Sequence, residues 1–114
     1  MSRDEGIATM RIDPITLDNL ISRIVNAVHP LRIILFGSAA RGEIGDDSDI
    51  DVLVVMPDGT HRLNTAQYLY TQLAGFGFPV DILVATPSVL EKHKDNIGLI
   101  YRTVLIEGKE IYVA

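Results

Sequence analysis

The stretch LFGSAARGEIGDDSDIDVLVV, Leu35 to Val55, sets four aspartates directly before an apolar run that reads as a buried strand. Negative charge held against a core is costly unless it is paired or put to use. Outward from this stretch, short apolar runs alternate with amphipathic ones. RIILF, ending at Phe36, is β-branched and apolar, and DIDVLVVM is a second strand stopped by the turn signal Pro57-Asp58-Gly59. PVDILVA, from Pro79, is a third strand, and EIYV, led in by Gly108, is a short final one.

The helical segments follow from spacing and caps. Thr16 reads as the N-cap of a helix running to about His29, with Leu17, Leu20, Ile21, Ile24, Val25 and Val28 on one stripe and Pro30 as its stop. Leu63, Ala66, Leu69, Tyr70 and Leu73 suit a second long helix closed by Gly75 and Gly77. TPSVLEKHK carries start signals for a short helix, with Pro87 in the first turn and a Ser88 to Glu91 capping box, and Ile97 to Ile106 suits another.

The first two strands are joined by about a dozen residues, which fits either a short helical crossover or a hairpin. The expected fold class is therefore α/β of the α+β kind: a small mixed β-sheet with helices mainly on one side. A chain of 114 residues is one domain, expected over residues 15–114 behind a loosely held segment 1–14.

Composition narrows the function. An apolar share of 47% with 22% charged residues describes a folding globular chain. No apolar run reaches the roughly 18 residues that span a bilayer, and MSRDEGIATM lacks a signal-peptide core, so the chain reads as cytoplasmic with no membrane contact. Without cysteine, any metal is held by oxygen or histidine. The net charge of -5 argues against direct nucleic-acid binding, which draws on clustered Lys and Arg; a basic protein partner or metal ions suit it better.

Within the opening stretch, Asp49 and Asp51 lie two residues apart and so point to one face of their strand, roughly 7 Å apart. Asp81 sits in the third strand on the same side as Leu83 and completes a triad if the two strands are neighbours. Three converging carboxylates repel one another and call for cations, for which magnesium with its oxygen ligands is the natural choice. Two such ions roughly 4 Å apart would share Asp49 and Asp51. Upstream, Gly37 lets backbone approach a phosphate and Ser38 can donate to it, a layout suited to phosphoryl transfer. Asp46 and Asp47 read as solvated loop.

Rival motifs fail. Gly37 to Gly42 has P-loop glycine spacing, but Glu43 and Ile44 stand where Lys and Ser/Thr are required. Asp47, Asp49 and Asp51 imitate the start of an EF-hand loop, but Val52 occupies its glycine position.

Gly37-Ser38, ten residues, then Asp49-Ile50-Asp51 resembles the signature of the nucleotidyltransferase superfamily typified by DNA polymerase β. The fuller string GSAARGEIGDDSDIDVLVV is similar to its minimal nucleotidyltransferase (MNT) branch, antitoxins that pair with HEPN-domain ribonuclease toxins. The resemblance runs from RIILFGS through PVDILV to EGKEIYV, with no departure at the catalytic positions. It implies that Asp49 and Asp51 bind the metals, that Asp81 is the third carboxylate and assists deprotonation of the acceptor, and that Gly37, Ser38 and Arg41 contact the nucleotide. It implies transfer of AMP from ATP to a tyrosine of a HEPN toxin, in a toxin–antitoxin complex or other oligomer.

Two alternatives stand beside it: a binding module that silences a toxin by occlusion, and transfer to a small-molecule hydroxyl such as an aminoglycoside. Those small-molecule relatives generally carry a further helical domain, for which no residues are left here. Arg23 and His29 loosely fit the Arg-to-His spacing of HEPN nucleases but lie on an amphipathic helix. His61 and His93 read as exposed helix-end residues. Tyr68, Tyr70, Tyr101 and Tyr112 suit packing or partner contact.

Overall fold

The computed structural model describes residues 13–40, 49–96 and 99–114. Among them lie five helices and four strands in the order α1 (Pro14–Val28), β1 (Arg32–Phe36), α2 (Gly37–Ala40), β2 (Ile50–Val55), α3 (Arg62–Gln72), β3 (Val80–Ala85), α4 (Pro87–His93), α5 (Ile100–Glu107) and β4 (Lys109–Val113). The strands form one sheet in the order β3-β2-β1-β4. Strand β1 is antiparallel to both β2 and β4, while β2 and β3 run parallel, so the expected mixed sheet is present. The β1–β2 connection returns the chain antiparallel, and its first residues form the short α2.

Period-two alternation divides the core between the two faces of the sheet. Ile33, Leu35, Ile50, Val52, Val54 and Val84 face one way, against Leu20 and Ile24 of α1 and Leu69 of α3. Ile34, Leu53, Val55 and Ala85 face the other way, against Leu90 of α4 and Val104 of α5. The two long helices, α1 and α3, thus share one side. The two short ones cover part of the second side, a detail that periodicity alone does not resolve.

Two predicted helix starts are corrected. The N-cap of α1 is Asp13, whose carboxylate accepts from the Thr16 N–H at 3.3 Å, not Thr16. Pro14 explains the shift: it lacks an N–H and its fixed φ suits the first helical position, so the helix opens there. The N-cap of α4 is Thr86, which accepts from the Val89 N–H at 3.4 Å, and Ser88 lies inside the helix. Ser88 is occupied instead by Asp58, to which its N–H donates at 3.0 Å and its hydroxyl at 2.7 Å. The last helix begins at Ile100 rather than Ile97; residues 97–98 lie outside the described residues.

α1 ends at Val28, with His29 as its C-cap at φ +50° ahead of the buried Pro30. Arg23 is engaged structurally: Nη1 donates to the Ala74 carbonyl at 3.4 Å, and the guanidinium lies 5.6 Å from the Phe76 ring centroid. These contacts tie α1 to the turn after α3. His61 and His93 both stand at helix ends as expected: exposed His61 caps α3, its Nδ1 accepting from the Asn64 N–H at 3.2 Å, whereas His93 is half-buried, stacked on Tyr101 with centroids 5.9 Å apart. No described helix is long and apolar enough to cross a membrane.

Candidate active site

Asp51 is the centre of the site. On one side it pairs in register with Phe36 of β1, and on the other with Asp81 of β3. Residues in register on adjacent strands point to the same face, with strands about 4.8 Å apart. Asp51 and Asp81 thus share one edge of the second sheet face, where β1 ends and β2 and β3 begin. Asp49 lies just before β2, near enough for its charge to act on Asp51.

The turn after β1 is shaped around Asp51. Gly37 takes φ +70°, a left-handed conformation that side-chain-bearing residues rarely adopt, and a Cβ there would run into the Asp51 carboxylate. Ser38 follows as the second residue of α2, half-buried beside the buried Ala39 and Ala40. Arg41, Asp46 and Asp47 lie outside the described residues.

The electrostatics match this crowding. Burial pushes the Asp51 carboxyl above its ordinary range, and the charges of Asp81 and then Asp49 push it the same way. Asp49 and Asp81 are exposed. Among the described residues no three acidic or histidine side chains are gathered closely enough to hold a metal ion as they stand. Like charges resist being drawn to ligand distance, and a divalent cation would offset that resistance. The donor set fits a hard cation chemically, since every candidate ligand is a carboxylate oxygen.

A pocket of about 270 Å³ opens beside Asp51, lined by Phe36, Gly37, Asp51, Ile100, Thr103 and Glu107. Three of these belong to α5, far along the chain and carrying no motif. The nucleotidyltransferase domain family, as a sequence pattern, matches residues 17–111, nearly the whole of the fold just described.

The chain belongs to the nucleotidyltransferase domain family.

This nucleotidyltransferase is 37% identical over 82 residues to a candidate protein adenylyltransferase of Methanocaldococcus jannaschii, covering 71% of this chain and 77% of that protein. Its fold is similar to that of a candidate nucleotidyltransferase from Sulfolobus solfataricus, with a TM-score of 0.56 at 19% identity, over 96% of this chain and 85% of the other. A toxin–antitoxin structure with AMP-PNP also shares the fold, with a TM-score of 0.55 at 24% identity, over 85% and 73% of the two chains. At these identities the two structures speak to fold alone.

Phe36, Ile100, Thr103 and Glu107 line the pocket beside Asp51 in this nucleotidyltransferase and belong to none of its sequence motifs. The weak signal for the last three is their helical spacing, which a solvated helix face would share.

Proposed function

We propose that this nucleotidyltransferase is a protein adenylyltransferase that transfers AMP from ATP to a tyrosine hydroxyl of a HEPN ribonuclease toxin, and so acts as an antitoxin in the cytoplasm. The observation that carries the reading is the register of Asp51 with Asp81 beside the left-handed Gly37. It sets a candidate proton acceptor, a charge centre and a phosphate-approach turn side by side. The M. jannaschii relative supports protein as the acceptor class. Among the described residues β3 is also an edge strand with Asp81 exposed on it, which leaves room for an acceptor carried by another protein.

In this mechanism Gly37 lets the backbone approach the phosphates and the Ser38 hydroxyl donates to a phosphate oxygen, with Arg41 a further contact. Asp81 accepts the proton of the tyrosine hydroxyl as its oxygen bonds to the α-phosphorus. The bond from that phosphorus to the β-phosphate oxygen breaks, and pyrophosphate leaves. Asp49, Asp51 and Asp81 would hold magnesium, which when bound supplies positive charge to offset the carboxylates and the phosphate oxygens.

The test is incubation of the protein with the product of its neighbouring gene, ATP and magnesium, followed by intact-mass measurement. Gain of one or more AMP units by the partner, lost in Asp49→Ala plus Asp51→Ala, supports the reading. Toxin inhibition without a mass change would leave an occluding module and sink it.

A further inference from the structure

The pocket beside Asp51 lies to one side of the reaction. Sheet order sets Asp81 on the β3 side of Asp51, and Phe36 with Gly37 on the β1 side; the pocket opens on the β1 side and α5 forms its far wall. Ile100, Thr103 and Glu107 are three and seven residues apart along α5, so they share one helix face. Ile100 is 46% exposed there, an apolar surface available to a ligand.

At about 270 Å³ the pocket is slightly smaller than the roughly 300–1,000 Å³ of ordinary ligand sites, so it takes part of a nucleotide and not a whole triphosphate. A transfer reaction offers three groups to place: acceptor, polyphosphate and nucleoside. The acceptor belongs with Asp81 on the opposite side of Asp51. The polyphosphate belongs with Gly37, Ser38 and the metal carboxylates at the near edge, and Glu107, a carboxylate outside the proposed metal set, disfavours it along the α5 wall. The nucleoside remains, and its chemistry fits: an apolar ring for Phe36 and Ile100, and hydroxyl donors for a carboxylate.

We propose that α5 reads the nucleoside half of the donor, with the Glu107 carboxylate accepting from the ribose 2′-hydroxyl, the Thr103 hydroxyl bonding the same sugar, and Phe36 and Ile100 packing on the base. This assignment rests on the nucleotidyl-transfer reading above. It makes Glu107 a determinant of ribonucleotide over deoxyribonucleotide choice.

The test is calorimetric titration of the full chain, in magnesium buffer, with AMP-PNP and with its 2′-deoxy counterpart. The wild type should bind the ribonucleotide roughly tenfold more tightly, as expected for one hydrogen bond to a charged group. Glu107→Ala should lose that preference while keeping its affinity for the deoxy form, and Glu107→Gln, which retains a carbonyl acceptor, should keep part of it. A wild type that binds both equally, or a Glu107→Ala variant that weakens both equally or discriminates like the wild type, overturns the assignment. A wild type that binds neither nucleotide overturns the transfer reading itself and this assignment with it.

Discussion

Gly37 and Asp51 occupy the same space economy: a Cβ on Gly37 would stand 3.3 Å from the Asp51 Cγ and still closer to its Oδ2, at a backbone φ of +70°. Two independent constraints therefore select glycine, one conformational and one steric. The conformational part costs an ordinary residue about 1–2 kcal/mol. The steric part acts on Asp51 itself, whose carboxylate must turn aside.

Gly37→Ala should accordingly lower stability in urea denaturation by at least the backbone amount. It should lower transfer by about 100-fold or more through misplacement of Asp51. In an Asp51→Ala background the same change should cost only the backbone part, because the obstructing carboxylate is gone. A double-mutant cycle measures this coupling, and strict additivity would refute the steric half of the account.

Asp51→Asn should separate stability from activity. The Asp51 pKa is raised in the folded protein by burial, Asp81 and Asp49, so the folded state holds that proton more tightly than the unfolded chain does. The ionised carboxylate then destabilises the fold: the penalty is absent below the unfolded value of about 3.9, sets in as pH rises toward the folded pKa, and persists above it. The neutral variant should melt higher than the wild type near neutral pH without divalent metal, with the difference vanishing near about pH 3. Its transfer activity should be lost. Magnesium should raise the melting temperature of the wild type more than that of Asp51→Asn, and equal shifts would remove Asp51 from the metal set.

Much of this arrangement can be read from the chain before it folds. The alternation of Ile50, Val52 and Val54 with Asp51, Leu53 and Val55 marks a strand buried on both faces, and the Gly37-Ser38 to Asp49-Asp51 spacing marks the candidate site. Asp81 is harder, since its relation to Asp51 depends on β3 lying parallel beside β2. The α5 wall escapes entirely: Thr103 and Glu107 come to line one pocket with Gly37 and Asp51 only through the tertiary fold, which no local pattern encodes. Helix starts are ambiguous in sequence where two capping residues compete, at Asp13 against Thr16 and Thr86 against Ser88. The choice turns on proline at the first helical position and on a distant carboxylate.

Tyr70 protects the open edge of the sheet. Among the described residues strand β3 has a neighbour on one side only, and the Ile82 N–H donates to the Tyr70 hydroxyl at 3.0 Å. Edge amides left open invite pairing with other chains. Tyr70→Phe keeps the ring and removes this acceptor, so it should cost about 0.5–1.5 kcal/mol in urea denaturation. The low end is expected because Tyr70 is 46% exposed and water can replace the hydroxyl. Amide exchange at Ile82 should quicken in the variant, and unchanged exchange there would show that the hydroxyl does not guard the edge.

Asp58 links the turn after β2 to the start of α4. Its carboxylate accepts from both the N–H and the hydroxyl of Ser88, and these bonds hold its pKa below the ordinary carboxylate range. A lowered folded pKa means that ionised Asp58 favours the folded state; this contribution is complete above the unfolded value of about 3.9 and is lost as pH falls through the folded pKa. Asp58→Ala should therefore melt below the wild type near neutral pH, with the gap closing as the buffer is acidified. Asp58→Asn retains one acceptor oxygen but no charge, so it should fall between the two near neutral pH. Thermal melts of the three proteins across a pH series provide the check. A gap between wild type and Asp58→Ala that stays constant down to about pH 2 would show that the carboxylate acts by shape and not by charge.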